Sequence, residues 1–259
     1  MMEFTFDLMN FEYFLLIMVR IATFLFVAPL FGQRGVPAIS KVGFSGMLAI
    51  MVLYAVPPVE APYQSTLGYG ILVFKEAITG LMIGFAAYMC NSIILFAGNI
   101  IDVDIGLSMA QQFDPTMNTQ VTTTGNMYLY FMFLFMIVTN MYQFVLRAVI
   151  DSFTVIPLGG AQPRPDFLLT ALTNYITNVF VIGFRIFLPV FAVILIMNVV
   201  LGIMAKVAQQ MNMFSVGIQI KILSGLFILY LMIYLFPEVC RFVFEQMSDM
   251  MRQVVEGLH

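Results

Sequence analysis

Residues 77–101 read AITGLMIGFAAYMCNSIILFAGNII and contain no charged side chain. An α-helix needs about 20 apolar residues to cross the hydrocarbon core of a bilayer. Apolar residues continue upstream to Ile71, so this segment predicts a membrane-spanning helix. Within it, Gly80 and Gly84 form a G-x-x-x-G spacing. That spacing favours the close approach of another helix, although glycine is also tolerated in membrane helices without such a role.

The rest of the chain shares this apolar character. Of its 259 residues, 61% are hydrophobic and 10% are charged, and the mean hydropathy is +0.98. A soluble domain carries about 45–50% apolar and about 25% charged residues. This chain therefore lacks the charge to cover a water-facing surface. The first ten residues contain Glu3 and Asp7 but no lysine or arginine, which favours a retained first segment over a cleaved signal peptide.

Six apolar segments approach the length of a membrane span, and we expect a helix in each. They are residues 11–31, 42–56, 77–101, 127–146, 175–205 and 222–236. Lysines and arginines in the connections divide four against four between the two sides, so charge bias does not determine the orientation. The predicted fold class is an all-α membrane protein with about six long apolar helices in hairpins. A mixed-charge tail follows them and predicts an amphipathic or solvated helix.

Two polar links interrupt the apolar pattern. Residues 102–126 form the longest polar stretch and contain no lysine or arginine. They carry Met109 and Met117, and methionine adapts to irregular surfaces. Such a loop either closes a channel mouth or is a solvated connector. The second link, residues 151–173, is rich in proline and glycine.

Ionisable residues inside apolar segments are costly, so each is a candidate for a site. Glu12 and Arg20 are two helical turns apart and are not direct partners. Either one lies near a membrane surface or faces protein. Lys75 and Glu76 are adjacent, and neighbours on a helix do not face each other. Each therefore needs a partner on another helix or subunit, or lies at the end of a span.

Arg185 and Pro189 are a more specific pair. Proline removes the hydrogen bond to the carbonyl four residues earlier, here that of Arg185, and bends the helix. A buried guanidinium at a bend could seat a partner chain. The alternative is an ordinary bend with Arg185 near the membrane interface.

The sequence carries no recognisable catalytic set. The patterns G-x-S-x-G, H-E-x-x-H and G-x-x-x-x-G-K-[ST] are absent, and the only histidine is His259. Cys90 and Cys240 lie in apolar stretches, where we expect small buried hydrophobic residues rather than a metal site or disulfide. With a net charge of −3 and no basic patch, nucleic acid is not an expected partner. We expect no cofactor and no enzymatic activity.

Several runs resemble the FliR family of flagellar export-gate proteins, and they follow the family's order along almost the whole chain. They are PLFGQRGVP at 29–37, KEAITGLMIG at 75–84, AGNIID at 97–102 with Gly106, Asp114-Pro115, Ser152-Phe153 before Pro157, RIFLP at 185–189, QMNMF at 210–214 and KILSG at 221–225. The family's prolines before the Gln-x-Asn run and the Lys-Ile pair are replaced here by Gln209 and by Gln219-Ile220. These departures affect the tip of the last hairpin.

The resemblance implies a subunit of the type III protein export gate in the bacterial inner membrane, at the flagellar basal body. The implied partners are FliP and FliQ, with FlhB as a further candidate, together with unfolded export substrates and membrane lipid. Residues 1–173 would form a FliP-like part and residues 174–259 a FliQ-like hairpin with the amphipathic tail.

The resemblance also implies roles for particular residues. A pore-closing loop at 106–122 would include Gly106, Met109, Gln111, Asp114, Pro115 and Met117. Contacts between subunits would use Lys75, Glu76, Arg185 and Lys221. Helix shape and the hairpin tip would depend on Pro29, Gly80, Gly84, Pro189, Gln210, Asn212, Phe214 and Gly225. The alternatives are a virulence type III export component and, in a different class, a small-molecule secondary transporter with broken helices around a midplane site.

Overall fold

The computed structural model describes residues 8–33, 35–55, 65–108, 122–208, 210 and 213–259. Within these ranges the chain forms α-helices and no strand, which confirms the predicted all-α class. The helices are α1 (Leu8–Val27), α2 (Ala38–Ala55), α3 (Thr66–Met89), α4 (Asn91–Ile105), α5 (Thr123–Val138), α6 (Met141–Val155), α7 (Pro165–Val207), α8 (Met213–Met232) and α9 (Phe236–Gly257).

Four helical stretches in the described residues are long and apolar enough to cross a membrane. They are Ala38–Ala55, Thr66–Ile105, Pro165–Val207 and Ser215–Met232. A fifth is possible if α5 and α6 together make one broken span. The first predicted segment, which contains Glu12 and Arg20, forms α1, and α1 is not among these candidate spans. The chain is thus a membrane protein by length and composition, and the predicted number of six spans stays unconfirmed.

The predicted fourth segment, 127–146, is not one helix. It divides into α5 and α6, which are bent by 77° at a short break. Asn140 stands at that break with a positive φ of 57°, a left-handed conformation that asparagine adopts more readily than most residues. Thr139 and Asn140 occupy the break, but apolar residues dominate on both sides of it, so the hydrophobicity of the segment as a whole predicted one helix.

The polar links are shorter than predicted because helices extend into them. Helix α4 continues through Asp102 to Ile105, and α5 begins at Thr123. Helix α7 begins at Pro165, a first-turn position where the missing N–H of proline costs nothing. Pro189 lies inside this helix of 43 residues.

The described residues divide into two compact units. The first comprises those of Met1–Met89, Met136–Tyr175 and Glu245–His259. Its core is built on α1, which packs against α2 and α3. At Gly80, a Cβ would collide with the carbonyl of Arg20 and the side chain of Thr23, and at Gly84 it would lie 2.8 Å from the Phe24 carbonyl. The two glycines therefore permit the close approach of α3 to α1.

The second unit comprises Cys90–Phe135 and Ile176–Phe244. Phe96 on α4 packs edge-on against Phe180 and Phe184 of α7, with ring centroids 5.1 and 5.9 Å apart. Gly183 leaves the space that the Phe96 ring occupies. Aromatic contacts between α5 and the start of α9 extend this core, including Tyr128 with Phe236.

Helix α9 has an apolar face and a charged face. Its buried side chains include Val243, Phe244, Met247, Met251 and Val254. The opposite face exposes charges at three- and four-residue spacing: Arg241, Glu245, Asp249, Arg252 and Glu256. The predicted boundary between a FliP-like and a FliQ-like part, at 173/174, falls inside α7 and stays a prediction.

Replacing Gly80 with alanine should destabilise the chain, because the new methyl group meets α1 backbone that cannot move aside. Overpacking of this kind costs about 1–3 kcal/mol. Gly70→Ala on the same helix is the matched control, since nothing lies within 4 Å of its Cβ position. The measurement is the fraction that stays monodisperse in detergent after heating. If the same fraction of both variants stayed monodisperse after heating, the close packing of α1 on α3 would be contradicted.

Candidate functional site

The base of the predicted pore loop is the first candidate site. Helix α4 ends at Gly106, which has a φ of 94° and whose N–H donates to the Asp102 carbonyl. This left-handed conformation is strained for a residue with a Cβ, so glycine is required for the turn. The structure therefore gives Gly106 a defined role, which is to release the chain from α4 into the loop.

The side chain of Asp102 connects the two ends of the loop. It is 1% exposed, and it accepts a 2.8 Å hydrogen bond from the Thr122 hydroxyl. The backbone N–H of Thr124 lies 3.2 Å from both carboxylate oxygens. Thr122 Oγ1 in turn accepts a hydrogen bond of 2.9 Å from the Gly125 N–H. The first turn of α5 is thus capped by Thr122 and by a carboxylate from α4, where the helix dipole favours negative charge.

Two glycines bring the helices at the base of the loop into backbone contact. A Cβ at Gly98 would collide with the backbone of Gly125, and a Cβ at Gly125 would lie 2.7 Å from the Thr122 side chain. We call this group, Gly98, Asp102, Thr122, Thr124 and Gly125, the loop stem. It holds the entrance and the exit of the loop side by side.

Helix α8 lies beside the last turn of α4. A Cβ at Gly225 would be 2.5 Å from the side chain of Ile105. Lys221, one turn earlier on α8, interacts electrostatically with Asp104. One carboxylate oxygen of Asp104 is buried without a hydrogen-bond partner in the described residues. The C-terminal end of α4 therefore carries one carboxylate that is fully satisfied, Asp102, and one that is not.

A buried ion pair in the first unit is the second candidate site. Arg20 on α1 and Glu76 on α3 are both 0% exposed, and Arg20 Nε lies 2.5 Å from Glu76 Oε2. A second bond of 3.1 Å joins Arg20 Nη2 to Glu76 Oε1. This parallel, two-point geometry is the strongest arrangement for an arginine and a carboxylate.

The end of α6 and the link after it complete this network. Arg20 Nη1 donates to the Ile156 carbonyl at 3.0 Å, and the Gly159 N–H donates to Glu76 Oε1 at 2.7 Å. The guanidinium carbon also lies 4.3 Å from the centre of the Phe153 ring. We call this group, Arg20, Glu76, Phe153, Ile156 and Gly159, the charge cluster. It joins three stretches of sequence in one satisfied polar group.

The charge cluster gives Glu76 a partner within its own chain, and its predicted contact between subunits stays a prediction. Glu76 is enclosed by its own chain, and its partner lies on another helix of that chain. Arg20 is likewise enclosed and does not extend to a membrane surface. The adjacent Lys75 is exposed and reaches the Gly159 carbonyl at 3.4 Å.

The remaining predicted contact residues have surroundings of a different kind. Arg185 is exposed, and its guanidinium carbon lies 5.7 Å from the centre of the Phe242 ring. Lys221 is half-buried. Both are accessible enough to reach another subunit, and their role there stays a prediction.

Most of the predicted pore loop lies outside the described residues. This holds for Met109, Gln111, Asp114, Pro115 and Met117, and also for Asn212 and the side chain of Phe214. Gln210 occupies an exposed turn before α8, and Pro29 is buried in the turn after α1. The roles predicted for Gln210 at the hairpin tip and for Pro29 in helix shape therefore stay predictions.

The described residues offer little for catalysis. They contain no group of three or more histidine, cysteine or acidic side chains that could hold a metal ion. Burial raises the pKa of the Cys240 thiol to about 12, so this thiol stays protonated and unreactive. In the loop stem and in the charge cluster, the hydrogen bonds observed join parts of this chain to one another.

Sequence reasoning missed the function of three of these residues. Arg20 and Glu76 are 56 positions apart, and nothing local indicates that they pair. Thr122 was one polar residue among many in the link. The available signal was the rarity of charge within apolar segments, which marked Arg20 and Glu76 as residues in need of partners.

Neutralising one member of the ion pair should destabilise the chain more than removing both. Arg20→Met or Glu76→Met each leaves a buried charge without its partner, which costs about 3–5 kcal/mol. In a double-mutant cycle, the double variant should survive heating in detergent at least as well as either single variant. Lys75→Met, next to the pair but exposed, is the control and should change little. Additive losses would contradict direct pairing.

Comparison with known proteins places the chain in a family. The model of the bacterial export proteins, family 1, matches residues 11–247. Flagellar biosynthetic protein FliR of Bacillus subtilis (strain 168) is 31% identical over 250 residues, covering 95% of each chain. FliR of Buchnera aphidicola subsp. Acyrthosiphon pisum is 28% identical over 90% of this chain and 88% of its own length. FliR of Escherichia coli (strain K12) is 22% identical over 93% of this chain and 92% of its own. The chain therefore belongs to the bacterial export proteins, family 1.

Proposed function

We propose that this chain is a core subunit of the flagellar type III protein export gate. It assembles with FliP and FliQ in the bacterial inner membrane and contributes to the channel for unfolded flagellar proteins. The observation that carries this proposal is the 31% identity to a FliR over 95% of both chains. The match covers the spans, the links and the tail together, so the proposal does not depend on a single motif.

The unequal burial of the candidate spans supports assembly with other subunits. In the span window of Thr66–Ile105, 61% of the residues are buried within the chain. The corresponding shares are 28% for Ala38–Ala55, 22% for Pro165–Val207 and 22% for Ser215–Met232. In these three spans, therefore, most residues are not buried by the described part of the chain. Their apolar surface requires either lipid or apolar helices of other subunits.

The loop stem supports a closing role for residues 106–122. Its two ends are fixed by the buried Asp102 carboxylate and by the contact of Gly98 with Gly125. Because both ends of the loop are held in fixed positions, the loop can be directed into a channel. Its sequence contains no lysine or arginine, so it can contact unfolded chains without cationic sites that would retain acidic segments.

Charges that the chain does not enclose are the best candidates for contacts with FliP and FliQ. Lys75, Arg185 and Lys221 keep that proposed role, because none of them is enclosed by the chain. The contribution of Glu76 to assembly is indirect, through the charge cluster that holds α1 and α3 together.

Copurification separates this proposal from a small-molecule transporter. Coexpressed with FliP and FliQ, the tagged chain should elute as one large hetero-oligomer, in which helices of the partners cover the three spans that are little buried. A transporter would remain a monomer or homo-oligomer and would move a solute when reconstituted alone. Arg185→Ala should reduce the yield of the complex, whereas Arg241→Ala, an exposed arginine on α9, serves as the matched control. Elution of the chain without either partner would contradict the proposal.

Loosening the loop stem should make the assembled gate leak. Asp102→Ala removes a buried, charged acceptor of three hydrogen bonds, and bonds to charged groups are worth about 1.5–3 kcal/mol each. Losing even one shifts the closed-to-open ratio by about tenfold or more. The measurement is ion efflux from vesicles that contain the purified complex, with deletion of residues 109–121 as the fully open reference.

Val103→Ala is the control for this measurement, because Val103 is the exposed neighbour of Asp102 on α4. It should leave efflux at the wild-type level. Complexes of normal size that stay ion-tight after both the deletion and Asp102→Ala would show that the loop does not close the pore.

A further inference from the structure

A small pocket beside the first turn of α2 contains a buried lysine. The cavity has a volume of about 250 Å³ and is lined by Leu25, Phe31, Val36, Ser40, Lys41 and Phe44. Lys41 is only 8% exposed. The other walls are almost entirely apolar, and the Phe31 and Phe44 rings stack with their centroids 6.0 Å apart. The pocket therefore combines one cationic group with an apolar enclosure.

The described residues supply the ammonium of Lys41 with one hydrogen bond. It has three N–H donors, and one of them reaches the Gln33 carbonyl at 3.3 Å. The ammonium nitrogen also lies 5.4 Å from the centre of the Phe26 ring. Among the described residues no carboxylate lies within ion-pair distance of it. Buried lysines are rare unless they are paired, so these surroundings favour an anion as the partner of Lys41.

The position of Lys41 in the first turn of α2 also favours an anion beside it. The Lys41 N–H bonds to the Pro37 carbonyl, so Lys41 belongs to the first turn of an 18-residue helix. The unpaired N–H groups of a first turn carry partial positive charge and bind anions. A lysine at this end is unfavourable for the helix dipole, yet here it is also buried. Both contributions are positive, and Ser40 and Lys41 of this turn line the pocket.

We propose that this pocket binds the phosphate head group of an anionic phospholipid. The phosphate bonds the Lys41 ammonium and the first turn of α2, and the glycerol and upper acyl carbons occupy the apolar walls. Helix α2 is a candidate span whose outward face exposes Ile39, Met47 and Met51. Lys41 lies near its N-terminal end, which is the depth of lipid head groups. The cavity is the size of a head group and is too small for a helix from another subunit.

The proposal is tested by native mass spectrometry of the full chain in detergent. The chain is incubated with phosphatidylglycerol or with phosphatidylcholine that carries the same acyl chains. Phosphatidylglycerol should be retained at lower concentration, and Lys41→Met should weaken its binding by about tenfold, the loss expected for one charge-assisted bond. Lys41→Arg should retain the lipid, and Lys75→Met, an exposed lysine, should bind as the wild type does.

A second variant covers the case in which Lys41→Met does not fold. Val36→Phe fills the apolar part of the pocket from an exposed position and should displace the lipid while Lys41 remains. Excess inorganic phosphate distinguishes the source of the anion, because a lipid site should keep phosphatidylglycerol when phosphate is added. Displacement by phosphate, equal retention of the two lipids, or unchanged binding in both pocket variants would each overturn the proposal. The test does not depend on assembly with FliP or FliQ, so it can fail while the proposed function stands.

Discussion

The pairing of Arg20 with Glu76 is the constraint on which the first unit depends. Two full charges lie where no water reaches them, and an unpaired charge there costs several kcal/mol. The pair can form only if α1 and α3 lie in one register and if the turn after α6 returns to meet them. The Gly159 N–H and the Ile156 carbonyl complete the network. Apolar contacts alone would leave the relative register of α1 and α3 undetermined, whereas the ion pair fixes it.

The loop stem follows the same physical logic with different residues. In both places small residues allow the backbones to approach, Gly80 and Gly84 in one case and Gly98 and Gly125 in the other. In both, one buried carboxylate then satisfies donors from a distant part of the chain. Apolar helices supply little directional information, so a few polar groups determine where each helix stops and which neighbour it meets.

The sequence predicted the class of the fold well because apolar runs and low charge follow directly from the solvent. It failed where the outcome depended on contacts between distant residues. The break at Asn140 lies between two apolar runs that form one segment by hydrophobicity alone, and helix α4 extends through a polar stretch because its Asp102 finds donors in α5. Glu76 was correctly recognised as needing a partner. Which partner it takes is decided by the packing of α1 against α3, and no local pattern encodes that.

Helix α7 has a length that bears on how the protein meets its bilayer. At a rise of about 1.5 Å per residue, 43 residues extend for about 65 Å, while the hydrocarbon core is about 30 Å thick. Fitting the whole helix inside would require a tilt of about 60°, beyond the 0–40° range seen for membrane helices. Part of this apolar helix must therefore lie outside the hydrocarbon core of the bilayer. Leu169, Val199 and Ile203 are exposed along it, and apolar side chains in a part outside the lipid would be covered by helices of other subunits.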